Sequence, residues 1–72
     1  MTDKAFRNIL IENGIDPEIV RWNDAASDNA YFLNAVYGRY EFGYRERGKV
    51  FEPRQFTSFS DAIAHLRERF AK

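Results

Sequence analysis

Between Tyr40 and Phe56 the chain reads YEFGYRERGKVFEPRQF, and no other stretch constrains the fold as much. Tyr40, Phe42 and Tyr44 alternate with Glu41, Gly43 and Arg45. That two-residue period belongs to a strand with one covered face. Gly48 sits between Arg47 and Lys49, where a tight turn needs a residue tolerant of positive φ. VFEPRQF then reads as the next strand, and Pro53, which has no N–H to give to a ladder, makes it an edge strand. Upstream, AYFLNAVY reads as an earlier strand, followed by Gly38. Three strands joined by tight turns form an antiparallel meander, and the first of them offers a possible pairing edge.

Helical spacing flanks this sheet. In TDKAFRNILIENG, Phe6, Ile9 and Leu10 share a face, Thr2 or Asp3 can cap the start, and Gly14 follows the end. DPEIVRWN reads as a short second helix, with Asp16 as cap and Pro17 at the first position. NDAASDN, residues 23–29, has the composition of a loop. In TSFSDAIAHLRERFAK, Phe59, Ile63, Leu66 and Phe70 form an apolar stripe. Ser58 with Asp61 resembles a capping box, and Ser60 competes for the cap. The expected fold is a single α+β domain over residues 1–72. Its order is helix, short helix, three-stranded antiparallel meander and C-terminal helix, with the helices packed on one sheet face.

A chain of 72 residues buries only about 60% of its extended surface, so its core must be efficient. It has no cysteine, which excludes disulfides and thiolate metal sites. Seven Phe, four Tyr and one Trp supply bulky rings instead. Eleven basic and eleven acidic residues cancel, whereas a general nucleic-acid binder carries a basic surplus. The balance is uneven along the chain: three basic residues stand against six acidic ones in residues 1–36, and eight against five in residues 37–72. No apolar run approaches the ~20 residues of a membrane span, and MTDKAFRNILIENG lacks the layout of a signal peptide. The expected location is the cytoplasm.

Residues that could carry chemistry are sparse. His65 is the only histidine, and no set of ligands converges on it by spacing. Gly38, Gly43 and Gly48 do not form a phosphate loop; their spacing fits turns and close approach of backbones. Glu41 and Glu46 are an odd number apart and fall on opposite faces of one strand. Neither an enzyme nor a cofactor is expected. Helix, three strands, helix is also the order of double-stranded-RNA-binding domains, which grip phosphates with lysines at the start of the last helix. Here that start is TSFSDAI, with an acid. Arg39, Arg45, Arg47, Lys49 and Arg54 could form a basic patch, diluted by Glu41, Glu46 and Glu52. A small nucleic-acid-binding or regulatory module is therefore the alternative reading. Protein recognition is the principal one, because Tyr and Arg concentrate at interface hot spots.

Several short motifs together resemble the very small bacterial immunity proteins of polymorphic toxin systems, including contact-dependent growth inhibition. They are Asn13–Gly14–Ile15 ending the first helix, Ala30–Tyr31 with Leu33, Tyr44–Arg45–Glu46–Arg47–Gly48, and Phe56 or Phe59 with Ala62 and Ala64. The likeness spans nearly the whole chain. Arg45 stands where that group is expected to have a small polar residue, and NDAASDN lacks its glycines. The resemblance implies a monomer that binds one cognate toxin domain in a 1:1 complex and blocks it, without a membrane or cofactor. Many such toxins are nucleases with basic clefts, which an acidic surface complements. The implied contact residues are Glu12, Asp16, Glu18, Asp24 and Asp28, and, as a second set, Arg45, Glu46 and Arg47.

Overall fold

The structure is a computed structural model and describes residues 1–24 and 26–72. It is α+β: two helices and a four-stranded mixed sheet. The elements are α1 (Asp3–Glu12), β1 (Val20–Trp22), β2 (Ala30–Val36), β3 (Arg39–Glu46), β4 (Lys49–Phe56) and α2 (Phe59–Phe70). Thr2 caps α1 by accepting the Ala5 amide at 3.1 Å. At its other end Gly14 takes φ +73°, and the Gly14 and Ile15 amides return to the carbonyls of Ile11 and Leu10. That pattern satisfies two orphan carbonyls and brings Ile15 onto Leu10, both buried in the core. Ser58 caps α2 by accepting the Asp61 amide; Ser60 lies inside the helix.

The expected second helix is instead a single turn followed by β1. Asp16 accepts the Glu18 amide on its side chain and the Ile19 amide on its carbonyl, and the chain then extends. Val20 and Trp22 face inward while Arg21 between them is exposed, the period of a strand and not of a helix. β-branched and aromatic residues suit a pleated surface. The free side of β2 supplies a ladder, with Val20, Arg21 and Trp22 opposite Tyr31, Phe32 and Leu33 in parallel. The sheet order is β1-β2-β3-β4. The first strand of the meander is thus an interior strand, not a free edge, while β4 is an edge.

A parallel neighbour demands that the chain travel back along the sheet. β1 is only three residues long, so the return is about 10 Å, and residues 23–29 can span roughly 23 Å. No crossover helix is needed. This loop is where the sequence placed it; Ala25 lies outside the described residues.

Both hairpins use two-residue turns with positive φ at each position: Tyr37 (+27°) with Gly38 (+71°), and Arg47 (+52°) with Gly48 (+75°). Such turns match the right-handed twist of the strands. The β3–β4 ladder slips between Phe42 and Tyr44, so Glu52 and Pro53 together stand against Gly43. The bulge accommodates a proline that has no N–H. It also sets the faces: Phe51 opposes Tyr44 and Phe56 opposes Tyr40, although five residues apart they would otherwise point to opposite sides.

One apolar cluster joins α1 (Phe6, Leu10), α2 (Ala62, Ile63, Leu66) and one sheet face (Val20, Leu33, Phe42). Rings complete it: Trp22 stacks on Phe6 at 4.9 Å, and Tyr31 meets Phe42 and Phe70. Arg69 ties α2 to the bulge through two bonds to the Glu52 carboxylate, 3.0 and 2.9 Å, and a third to the Tyr31 hydroxyl. These bonds hold the Glu52 carboxyl below its usual pKa and anchor the residue that has φ +54°.

Candidate functional site

The dense charge of Tyr44–Gly48 resolves into two roles. Arg45 is half-buried on the face of the sheet opposite the helices. Its guanidinium lies over the Phe32 ring, 4.5 Å from the centroid. It also donates to the carbonyls of Asp24 at 3.1 Å and Ser27 at 3.5 Å. Phe32 therefore keeps only 5% of its surface on a face that alternation alone would leave to solvent. Gly43 stands opposite Phe32 in the ladder. A Cβ there would come within 3.1 Å of the ring and 2.8 Å of Val50. The crossover loop, Phe32, Gly43, Arg45 and Val50 make a small second cluster. Glu46 and Arg47, by contrast, stay exposed at the hairpin end.

Most of the acidic candidates are bonded within the chain. Glu18 pairs with Arg7 and, at 3.8 Å, with Arg21; the bond and charge of Arg7 hold its carboxyl below the usual range. Asp16 shapes the adjoining turn. Asp24 accepts the Ser27 hydroxyl and the amides of Ala26 and Ser27, which lower its pKa to about 2, with Arg45 adding a smaller share. Asp28 accepts the Gly48 amide at 3.2 Å and so ties the loop to the β3–β4 turn. Four of the five acids thus bond within the chain, in two separate groups; Glu12 ends α1, exposed. Nor do the basic residues line up: Arg45 faces the loop, and Arg39 lies 3.6 Å from Glu41.

Three exposed residues escaped the sequence reading. Val50 and Phe51, at the start of the edge strand β4, are 45% and 46% exposed, and Tyr37 is 99% exposed. The odd Phe51–Phe56 spacing around Pro53 was the available sign of a bulge, and a Tyr-Gly pair between two strands was the sign of a turn. Val50 and Phe51 stand among Glu46, Arg47, Lys49 and Glu52 in the chain, and as successive strand residues they point to opposite faces, Val50 toward Phe32 and Phe51 beside Tyr44.

His65, on α2, packs against the rings of Phe42 and Phe56, and its Nε2 is buried with no hydrogen-bond partner among the described residues. Burial first, then the charges of Arg54 and Arg69, push its pKa below the ordinary 6.5, while Glu68 acts the other way. The unfolded chain then takes up a proton that the folded one resists. Stability is full above pH 6.5 and falls as pH drops from there through the lower folded value. Carboxylates held low, such as Glu18 and Glu52, lose their contribution only from about pH 4.5 downward. Urea melts between pH 7 and pH 5 should show declining stability, and His65→Phe should flatten that decline. An unchanged slope in the variant would assign the decline to another group.

No group of three or more His, Asp or Glu that could hold a metal occurs among the described residues, and no helix there is long and apolar enough to cross a membrane. No protein-family model matches the chain, and neither does any curated protein or solved structure.

Proposed function

We propose that this protein is an immunity protein, a cytoplasmic inhibitor that binds one toxin domain and neutralises it by contact. The observation that carries this reading is the exposed, unpaired start of β4. Half-exposed Val50 and Phe51 are successive residues of the free edge strand, Val50 on the face of Arg45 and Phe51 on the face of Tyr44, with Glu46, Arg47 and Lys49 before them in the chain. Exposed apolar side chains among charges on an unpaired strand edge suit contact with a protein. Glu46 and Arg47 therefore stay in the contact set, now with Val50 and Phe51. Arg45 leaves it, because its guanidinium is engaged within the fold. Of the acids, Glu12 is free to meet a basic cleft.

The test is to tag the protein in its host, co-purify at moderate salt, and express the recovered partner alone and with this protein. One stoichiometric partner, toxic alone and harmless in the pair, is the expected result. Phe51→Ala should weaken that complex about tenfold, a typical cost for a contributing contact residue. Recovery of salt-sensitive nucleic acid in place of a protein would replace the proposal with the alternative module.

A further inference from the structure

Tyr37 occupies a position where the fold gains nothing from it. It is 99% exposed, it makes no hydrogen bond within the described residues, and its φ is +27°. A residue with a Cβ disfavours positive φ, and at the first place of a two-residue hairpin turn Asn or Gly is the favoured choice. The other positive-φ residues have a local reason or a place in the contact set above. Asn23 and Asn29 tolerate the region, Glu52 is clamped by Arg69, and Arg47 belongs to the β3–β4 hairpin end. Strain held by a side chain that contacts nothing in its own chain points outward.

From this we infer that Tyr37 is an anchor residue which inserts into the partner; the inference rests on the inhibitor reading. The partner chemistry follows from the ring and its surroundings. A phenol needs an apolar slot that encloses the ring and an acceptor at its base for the hydroxyl. Beside Tyr37 a hollow of about 320 Å³ runs between the turn and the start of α2, lined by Ala35, Val36, Arg39 and Phe59 among others. The rim of the slot sits in that hollow, and a carboxylate on it would compete with Glu41 for Arg39. The β2–β3 and β3–β4 turns lie at opposite ends of β3, roughly 25 Å apart for eight residues. A standard interface of about 800 Å² per partner is wide enough to cover both.

Two measurements decide this. Tyr37→Asn creates the preferred Asn-Gly turn, so the melting temperature should rise by about 4 °C while affinity for the co-purified toxin domain falls about thirtyfold. In parallel, p-benzoylphenylalanine placed at Tyr37, at Phe51 or at exposed Ala64 as control should crosslink in the host to the same toxin domain from positions 37 and 51, and not from 64. Crosslinking from 51 alone, or undiminished affinity of Tyr37→Asn, overturns the anchor and leaves the inhibitor reading standing. A lowered melting temperature overturns it as well, because Tyr37 would then serve the fold. Capture from neither position ends both.

Discussion

Replacing Arg45 by alanine should cost this protein about 2–4 kcal/mol. Bonds from a charged donor contribute ~1.5–3 kcal/mol, and a guanidinium stacked on a ring adds roughly 0.5–2 kcal/mol. The Arg45 head makes both, to the carbonyls of Asp24 and Ser27 and to Phe32. Without it the crossover loop loses a fastening and an aromatic ring is opened to water. A domain of this length has on the order of 4–10 kcal/mol in total, so the variant should sit near its folding threshold. Arg47→Ala, two residues on, should change stability by no more than about 0.5 kcal/mol, because its side chain has no described partner. Urea melts of the two variants give the comparison directly. Arg45→Lys sharpens it: an ammonium keeps the charge but not the planar stack or the fork, and should recover less than half of the loss. Equal midpoints for Arg45→Ala and Arg47→Ala would place Arg45 on the solvated surface after all. The result also governs how binding data are read, since loss of a partner by Arg45→Ala reports on the fold first.

The same residue shows what was legible in the sequence. Alternation gave β2, β3 and β4, the stripe Phe59, Ile63, Leu66 and Phe70 gave α2, and Thr2 and Ser58 gave the caps, because these signals are local. Pro53 correctly marked an edge. β1 was hidden for two reasons: three residues are too few to show a period, and Asp16–Pro17 opens like a helix. Its strand state is set by β2, eleven residues further along in register. Once β1 is parallel, the loop must cross back, and only then does Arg45 have carbonyls to meet. The internal bonds of the acids were hidden for a related reason. Composition counts Asp24 and Asp28 as surface charge, but short carboxylates in loops are consumed by neighbouring amides. The bulge at Glu52–Pro53, which decides where Phe51 points, adds one residue to β4 against Gly43; the odd Phe51–Phe56 spacing hints at it but does not say where it falls.

Gly43→Val should destabilise the protein by about 2–3 kcal/mol, although valine is the better strand former. The reason lies across the ladder. A Cβ at this position would stand 2.8 Å from the Val50 side chain and 3.1 and 3.2 Å from two carbons of the Phe32 ring. Val50 is half-exposed on an edge strand and can turn aside. Phe32 cannot do so cheaply, because it is enclosed and Arg45 lies over it. Overpacking of an enclosed site costs ~1–3 kcal/mol, and valine adds two methyls beyond the Cβ already in conflict. The glycine is therefore an indentation that receives a ring, and its partner is identifiable by a double-mutant cycle. Phe32→Leu alone should cost ~1–2 kcal/mol for the smaller side chain and weakened stack. In the Gly43→Val background it should cost far less, since the shorter side chain vacates the space that valine needs. A coupling of at least about 1 kcal/mol is expected for groups in direct contact. Additive costs would mean that β4 moves away to admit the valine, and that the bulge, more than Phe32, is what requires glycine at this position.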